Sequence, residues 1–204
     1  MPALYTLRAT NESPLAGNIC LFQRDPQQET EEDVFSLAWL CQPCQPGGSL
    51  TFSWKQDYGF AWSDTGPLSP GVIFRPRDLV SADPSGLGRP SVSFGRHEDG
   101  FCFVEGHNPS DGCLNFNTDS SVPVRSISVA LTINGLPAFA RPAGPDMAFT
   151  FQPHPEFWIT FGPYGPGEVL DARQVMDGGV RLDLNDRKLS AGAVFQRDCA
   201  WLLR

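Results

Sequence analysis

Between residues 49 and 74, SLTFSWKQDYGFAWSDTGPLSPGVIF, apolar and polar side chains alternate in two consecutive runs. Leu50, Phe52 and Trp54 share one parity, as do Tyr58, Phe60 and Trp62, while Thr51, Ser53, Gly59 and Ala61 take the other. A period of two is that of a strand whose side chains point alternately to the two faces of a sheet, one of them buried. Lys55-Gln56-Asp57 suits a short turn, because Asp tolerates turn conformations. The stretch therefore predicts an antiparallel hairpin that ends in a Gly/Pro corner.

The same pattern returns later in the chain. Residues 51–62, TFSWKQDYGFAW, align without a gap on residues 150–161, TFQPHPEFWITF, with Asp57 opposite Glu156 and Tyr58 opposite Phe157. Each is followed by a similar corner, GPLSPG at 66–71 and GPYGPG at 162–167, in which proline fixes φ and glycine permits the turn. These matches predict an internal pseudo-repeat, 17–95 and 96–204, within one domain spanning 1–204, with the Gly/Pro/Ser-rich loop 81–90 as the boundary between copies.

Short strands are expected along the rest of the chain: 3–9, 18–23, 72–74, 91–95, 101–105, 114–116, 126–133, 168–170, 180–184 and 192–203. VFSLAWL at 34–40 is apolar nearly throughout and predicts a central strand buried on both faces, although periodicity alone also admits a short helix, and CQPCQPGG at 41–48 ends it. Asp99-Gly100 and Asn134-Gly135 are hairpin dipeptides. DPQQETEED at 25–33 carries no apolar anchor and reads as an exposed loop. The sum is an all-β chain, an antiparallel β-sandwich or a flattened barrel.

Composition supports this reading. With 204 residues the chain can bury a substantial core, and 20 Gly, 19 Pro and only 19% charged residues favour strands and turns over long charged helices. A formal net charge of -8 and a pI near 4.8 argue against nucleic acid, which is held by clustered Lys and Arg. No apolar run reaches membrane-spanning length, and no basic segment followed by an apolar core opens the chain, so a cytoplasmic location is expected. The six cysteines are then expected as buried thiols.

Candidate chemistry is sparse. Cys41-x-x-Cys44 has the spacing of a metal or dithiol pair, but no second CxxC or CxxH accompanies it, and incidental thiols at a turn are expected. His97-Glu98-Asp99 with His107 and Asp111 offers nitrogen and oxygen donors on neighbouring loops, without the ordered spacing of a metal site. Asp183, Asn185 and Asp186 fall short of a calcium loop. No metal and no cofactor is therefore predicted. Asp57 and Glu156, equivalent in the repeat, could form a carboxylate pair for acid/base work, although each is more simply a turn acid. The ligand-binding candidates are Asp57, Trp62, His154, Glu156, Trp158 and Tyr164. Trp158 stands out because its parity differs from that of Phe157, Ile159 and Phe161.

GNICLFQRDPQ at 17–27, FSLAWL at 35–40, FSWKQDYGFAWSDTGPLSPGV at 52–72 and PHPEFWITFGPYGPGEVLD at 153–171 follow one another in an order that resembles the RhiA family of rhizosphere-expressed bacterial proteins. The resemblance covers most of the chain. It implies quorum-sensing-controlled expression, plant-associated life and a non-secreted product, and it brings no established reaction. Cys41 and Cys44 depart from the family pattern. The expectation is a non-enzymatic binding or self-associating protein whose partner is a small molecule, a glycan or a second copy of the chain. The alternative is an enzyme acting on a small molecule in a pocket between the repeats, through Asp57, His154 or Glu156.

Overall fold

The computed structural model describes residues 3–24, 33–85, 89–98, 100–106, 112–153 and 156–204. Strands β1 (Leu4–Asn11), β2 (Gly17–Gln23), β3 (Phe35–Ser36), β4 (Leu40–Cys44) and β5 (Ser49–Lys55) come first. They are followed by β6 (Tyr58–Ser63), β7 (Asp78–Ala82), β8 (Ser91–His97) and β9 (Gly100–Glu105). Next are β10 (Leu114–Thr118), β11 (Ile127–Ile133), β12 (Leu136–Ala143), β13 (Ala148–Phe151) and β14 (Phe157–Gly162). Helix α1 (Ala172–Gly178) then precedes β15 (Val180–Arg181), β16 (Ser190–Phe195) and β17 (Trp201–Leu203). The fold is all-β and sandwich-like, and no sheet among the described residues closes into a barrel. No helix among these residues is long and apolar enough to cross a membrane.

The chain forms two compact units. Unit 1 comprises Met1–Gln56, Ser69–Ile73 and Pro155–Arg204, and unit 2 comprises Asp57–Leu68 and Phe74–His154. One sheet of unit 1 runs β17-β16-β1-β5 and one sheet of unit 2 runs β9-β8-β10-β13. Both show the same succession of antiparallel, parallel and antiparallel pairing. In the remaining sheets the runs β15-β14-β2-β4 and β7-β6-β11-β12 are antiparallel at every pairing. In strand order, β1, β2, β4 and β5 thus correspond to β10 to β13, and β6 to β9 correspond to β14 to β17. Each unit combines an early set from one half of the chain with a late set from the other.

This arrangement overturns the predicted hairpin at 49–62. β5 pairs with β1, whereas β6 pairs with β11 and β7 in the other unit. Alternation fixes which face of a strand is buried but leaves its neighbour open, and here both runs find distant partners. The parity itself holds in β5, where Phe52 and Trp54 are buried and Thr51, Ser53 and Lys55 are exposed.

Apolar faces meet between the two sheets of each unit. In unit 1, Tyr5 and Trp54 of one sheet pack on Phe157 of the other at ring distances of 5.4 and 5.1 Å, and Trp39 lies 6.0 Å from Phe157. In unit 2, Phe60 meets Phe116 and Phe151, and Trp62 meets Phe94. These rings, most of them fully buried, supply much of the apolar area removed from water.

The region 34–48 differs from expectation. The predicted central run is broken: Phe35–Ser36 is strand, Leu37 bridges Val169, and Leu40 already opens β4. CQPC, expected as a terminator, lies within β4, because β4 is a sheet edge and Pro43 needs no donor toward the open side. Residues 72–74 and 168–170, predicted as strands, instead meet at an isolated bridge between Ile73 and Glu168, with Val169 N donating to Val72 O at 2.8 Å. Gly71 and Gly167, at matching corner positions, both have positive φ, 88° and 76°.

Asn134 and Gly135 turn β11 into β12 with φ of 52° and 74°, the two left-handed positions of a type I′ turn. Gly135→Ala places a Cβ in that conformation and is expected to cost about 1–2 kcal/mol. A drop in urea midpoint without change in slope would confirm it, and an unchanged midpoint would refute it.

Candidate ligand-binding groove

The sequence candidates separate between the units. Asp57 is exposed at the start of β6, where its carbonyl accepts from Asn134 N at 2.8 Å, and Trp62 packs on Phe94 and Phe101. Both belong to unit 2, while Glu156, Trp158 and Tyr164 belong to unit 1. His154, and with it His107, Asp99, Asp111 and residues 25–32 of the acidic loop, lie outside the described residues. Of the histidine cluster, His97 and Glu98 sit at the turn between β8 and β9.

Glu156 and Trp158 do come together. As i and i+2 at the start of β14 they share a side, and Trp158 Nε1 donates to Glu156 Oε1 at 3.0 Å. Arg181, opposite Trp158 in β15, places Nη1 4.0 Å from Glu156 Oε2. Trp158 faces away from Phe157, as its parity implies, and stacks on Phe22. It is only partly buried and borders a cluster of Cys20, Phe22, Ala38, Tyr164, Leu170 and Val175. Val175 brings α1 over this face, and Asp171 caps that helix by accepting from Arg173 N and Gln174 N. Burial, then the Glu168 and Asp171 carboxylates, push the Tyr164 phenol up. Glu156 thus orients an indole that completes a packed layer.

Cysteine chemistry departs from the expected buried thiols. Cys20 of β2 faces Cys41 of β4, with Cα atoms 4.1 Å apart, and the two form a disulfide within the same cluster. In a strand, residues i and i+3 point to opposite faces, so Cys41 and Cys44 cannot converge on one ion or one bond. Cys44 is a buried free thiol, pushed up by burial. Among the described residues no group of three His, Cys, Asp or Glu side chains is placed to hold a metal.

A better-formed cavity lies elsewhere in unit 1, where segments 12–17 and 195–199 run past each other. Glu12 N donates to Phe195 O at 2.8 Å and ties the two together. The first segment is organised by Asn11, fully buried at the end of β1. Its Nδ2 donates to Leu15 O at 2.8 Å and Cys44 O at 3.2 Å, while its Oδ1 accepts from Ser13 N and Ser13 Oγ at 3.0 and 2.7 Å. A buried amide with this much of its bonding capacity met fixes the loop it serves. The second segment is a turn closed by Gln196 N to Ala200 O and Cys199 N to Gln196 O, at 2.8 and 3.0 Å, with Cys199 at φ 63°.

An apolar groove of about 540 Å³ opens between them, lined by Leu15, Ala16, Phe161, Pro163, Phe195 and Cys199. Phe161 and Phe195 stack at 4.4 Å and 21°, and Phe195 also packs on Trp201 at 5.0 Å. The Phe161 ring lies across Gly17 so closely that a Cβ there would come within 2.7 Å of it. A second groove of about 590 Å³ is lined by Glu12, Ser13, Pro14, Pro46, Gly47 and Arg197. Residues 12–17 and 195–199 therefore wall both. Neither Glu12 nor Arg197 forms an ion pair with a described residue. No motif in the sequence marks this place, whose parts are brought together by the β1–β16 and β2–β14 pairings.

Comparison with known proteins gives a consistent picture. A family model described as RhiA matches residues 2–204. Protein RhiA of Rhizobium leguminosarum bv. viciae is 34% identical over 160 residues, which cover 78% of this chain and 68% of that protein. No solved structure matches the chain.

Proposed function

The chain belongs to the RhiA family, and from that premise we propose a non-enzymatic binding protein that holds a small molecule in the apolar groove of unit 1. The observation that carries this reading is the groove's construction: apolar lining over walls held by hydrogen bonds from Asn11 and the 196–200 turn. A concave, largely apolar site of a few hundred cubic ångströms, built in advance of its occupant, is the general form of a ligand pocket. On family resemblance alone, the setting we propose is quorum-sensing-controlled, plant-associated life.

Self-association is a second reading with its own support. β17 is an edge strand of three residues on which Leu202 and Leu203 are 43% and 37% exposed, and such edges are natural places for a second copy to add. The enzyme reading has no comparable support, since Asp57 is exposed and Glu156 is engaged with Trp158. A cytoplasmic location, expected from sequence, would keep the Cys20–Cys41 bond in a reducing compartment, where such bonds are rare.

Native mass spectrometry of the purified full chain against metabolite and glycan pools, with sedimentation velocity on the same sample, tests both modes. A retained small molecule supports the first and a concentration-dependent dimer the second. A strict monomer that retains nothing defeats both.

A further inference from the structure

Building on the binding reading, we propose that the occupant of this groove is an amphiphile with an apolar body and one carboxylate, the body lying on Phe161, Phe195 and Leu15 and the head meeting Arg197. The apolar groove has no charged side chain in its lining, and its one side-chain heteroatom is the Cys199 sulfur. A charged or strongly hydrated group entering it would lose water without finding a partner, so what enters must be apolar. Segments 12–17 and 195–199 also wall the second groove, where Arg197 is the only cationic lining residue and has no ion-pair partner among the described residues. A guanidinium offers a paired-donor edge that matches a carboxylate. Glu12 on the same lining disfavours a head of higher negative charge, such as a phosphate or a dicarboxylate, and so selects a single charge.

Two residues make the idea testable without disturbing the core. Cys199 is exposed in the lining, so an occupant will shield its thiol from alkylation. Gly178 also lines the groove, and a Cβ added there has nothing within 4 Å, so Gly178→Leu fills open space instead of displacing a neighbour.

The experiment uses the full chain with hexanoate, octanoate, decanoate and decanol, each below its aggregation limit. Affinity is read by titration calorimetry, and Cys199 alkylation by peptide mass spectrometry. Affinity for the acids should rise about fourfold per added methylene, as expected for burial of an alkyl chain. Decanoate should slow Cys199 alkylation about tenfold and leave Cys102 unchanged. Gly178→Leu should abolish both effects while the melting curve stays cooperative. Arg197→Gln should weaken decanoate about fivefold and leave decanol unaffected.

Binding that ignores Gly178→Leu and leaves Cys199 reactive would put the ligand elsewhere and overturn this site, with the binding reading intact. Equal affinity for decanoate and decanol would overturn the assignment of the head. Failure of every carboxylate would overturn the ligand class. The binding reading itself falls only if the unbiased metabolite and glycan search is empty as well.

Discussion

Residues 1–106 and 107–204, produced as separate polypeptides, are expected to show no cooperative unfolding transition and to regain one when refolded together. Each half keeps four antiparallel neighbours of its own: β1 with β5, β2 with β4, β6 with β7 and β8 with β9 in the first, and their counterparts in the second. What it loses is the middle of every sheet. β1 with β16, β2 with β14, β6 with β11 and β8 with β10 all join strands from different halves. Two-stranded pieces are marginal in water without a covered apolar face, so the loss should be complete. A half that folded alone would have to close β6 on β2 and β8 on β1. A sharp denaturant transition for either fragment, near the midpoint of the whole chain, would show that this closure occurs and would refute the expectation.

Phe157→Ala is expected to be the most damaging single truncation in unit 1, costing about 3–5 kcal/mol. Its ring is fully buried and touches Tyr5, Trp39 and Trp54 at 5.4, 6.0 and 5.1 Å, so its removal leaves three large neighbours facing a void they cannot close. For a chain of this size each kcal/mol lowers the melting temperature by about 2–4 °C, which puts the fall on the order of 10 °C. Lys55→Ala, on an exposed position of β5, should stay within about 0.5 kcal/mol. Calorimetric scans of the two variants giving shifts of similar size would contradict this view of the core.

How far the fold was legible follows from what each signal encodes. Parity in 49–55 and the Asn134-Gly135 dipeptide are local, and the burial of Phe52 and Trp54 and the β11–β12 turn appear where they were expected. The partner of β5 is not local. A strand whose buried face is known can satisfy its backbone against any neighbour of the right register, and here the neighbour lies in β1 instead of β6. Helix α1 did have a signal, Asp171 ahead of Ala172-Arg173-Gln174-Val175-Met176, overshadowed by the strand-rich surroundings.

The candidate site divides in the same manner. Glu156 and Trp158 stood among the candidates separately, Glu156 as the counterpart of Asp57 and Trp158 for its parity, and the structure joins these two instead of the two carboxylates. Leu15, Phe161 and Phe195 carry no motif and meet only because distant strands bring them together. The disulfide was illegible for the same reason, since nothing in the separation of Cys20 and Cys41 states that β2 and β4 are neighbours.

The exchange of strands between the two halves also sets a timetable for biosynthesis. Thr6 faces Ser190, so β1 leaves the ribosome with one edge waiting for residues that have yet to be translated. At roughly 5–20 residues per second the wait is on the order of ten seconds or more, and β2 waits almost as long for β14. Throughout it the nascent chain displays open hydrogen-bonding edges beside aromatic side chains, the combination that recruits other unfinished chains. Shelter for those edges during elongation is therefore expected to matter to the yield of this protein alongside the stability of the finished molecule.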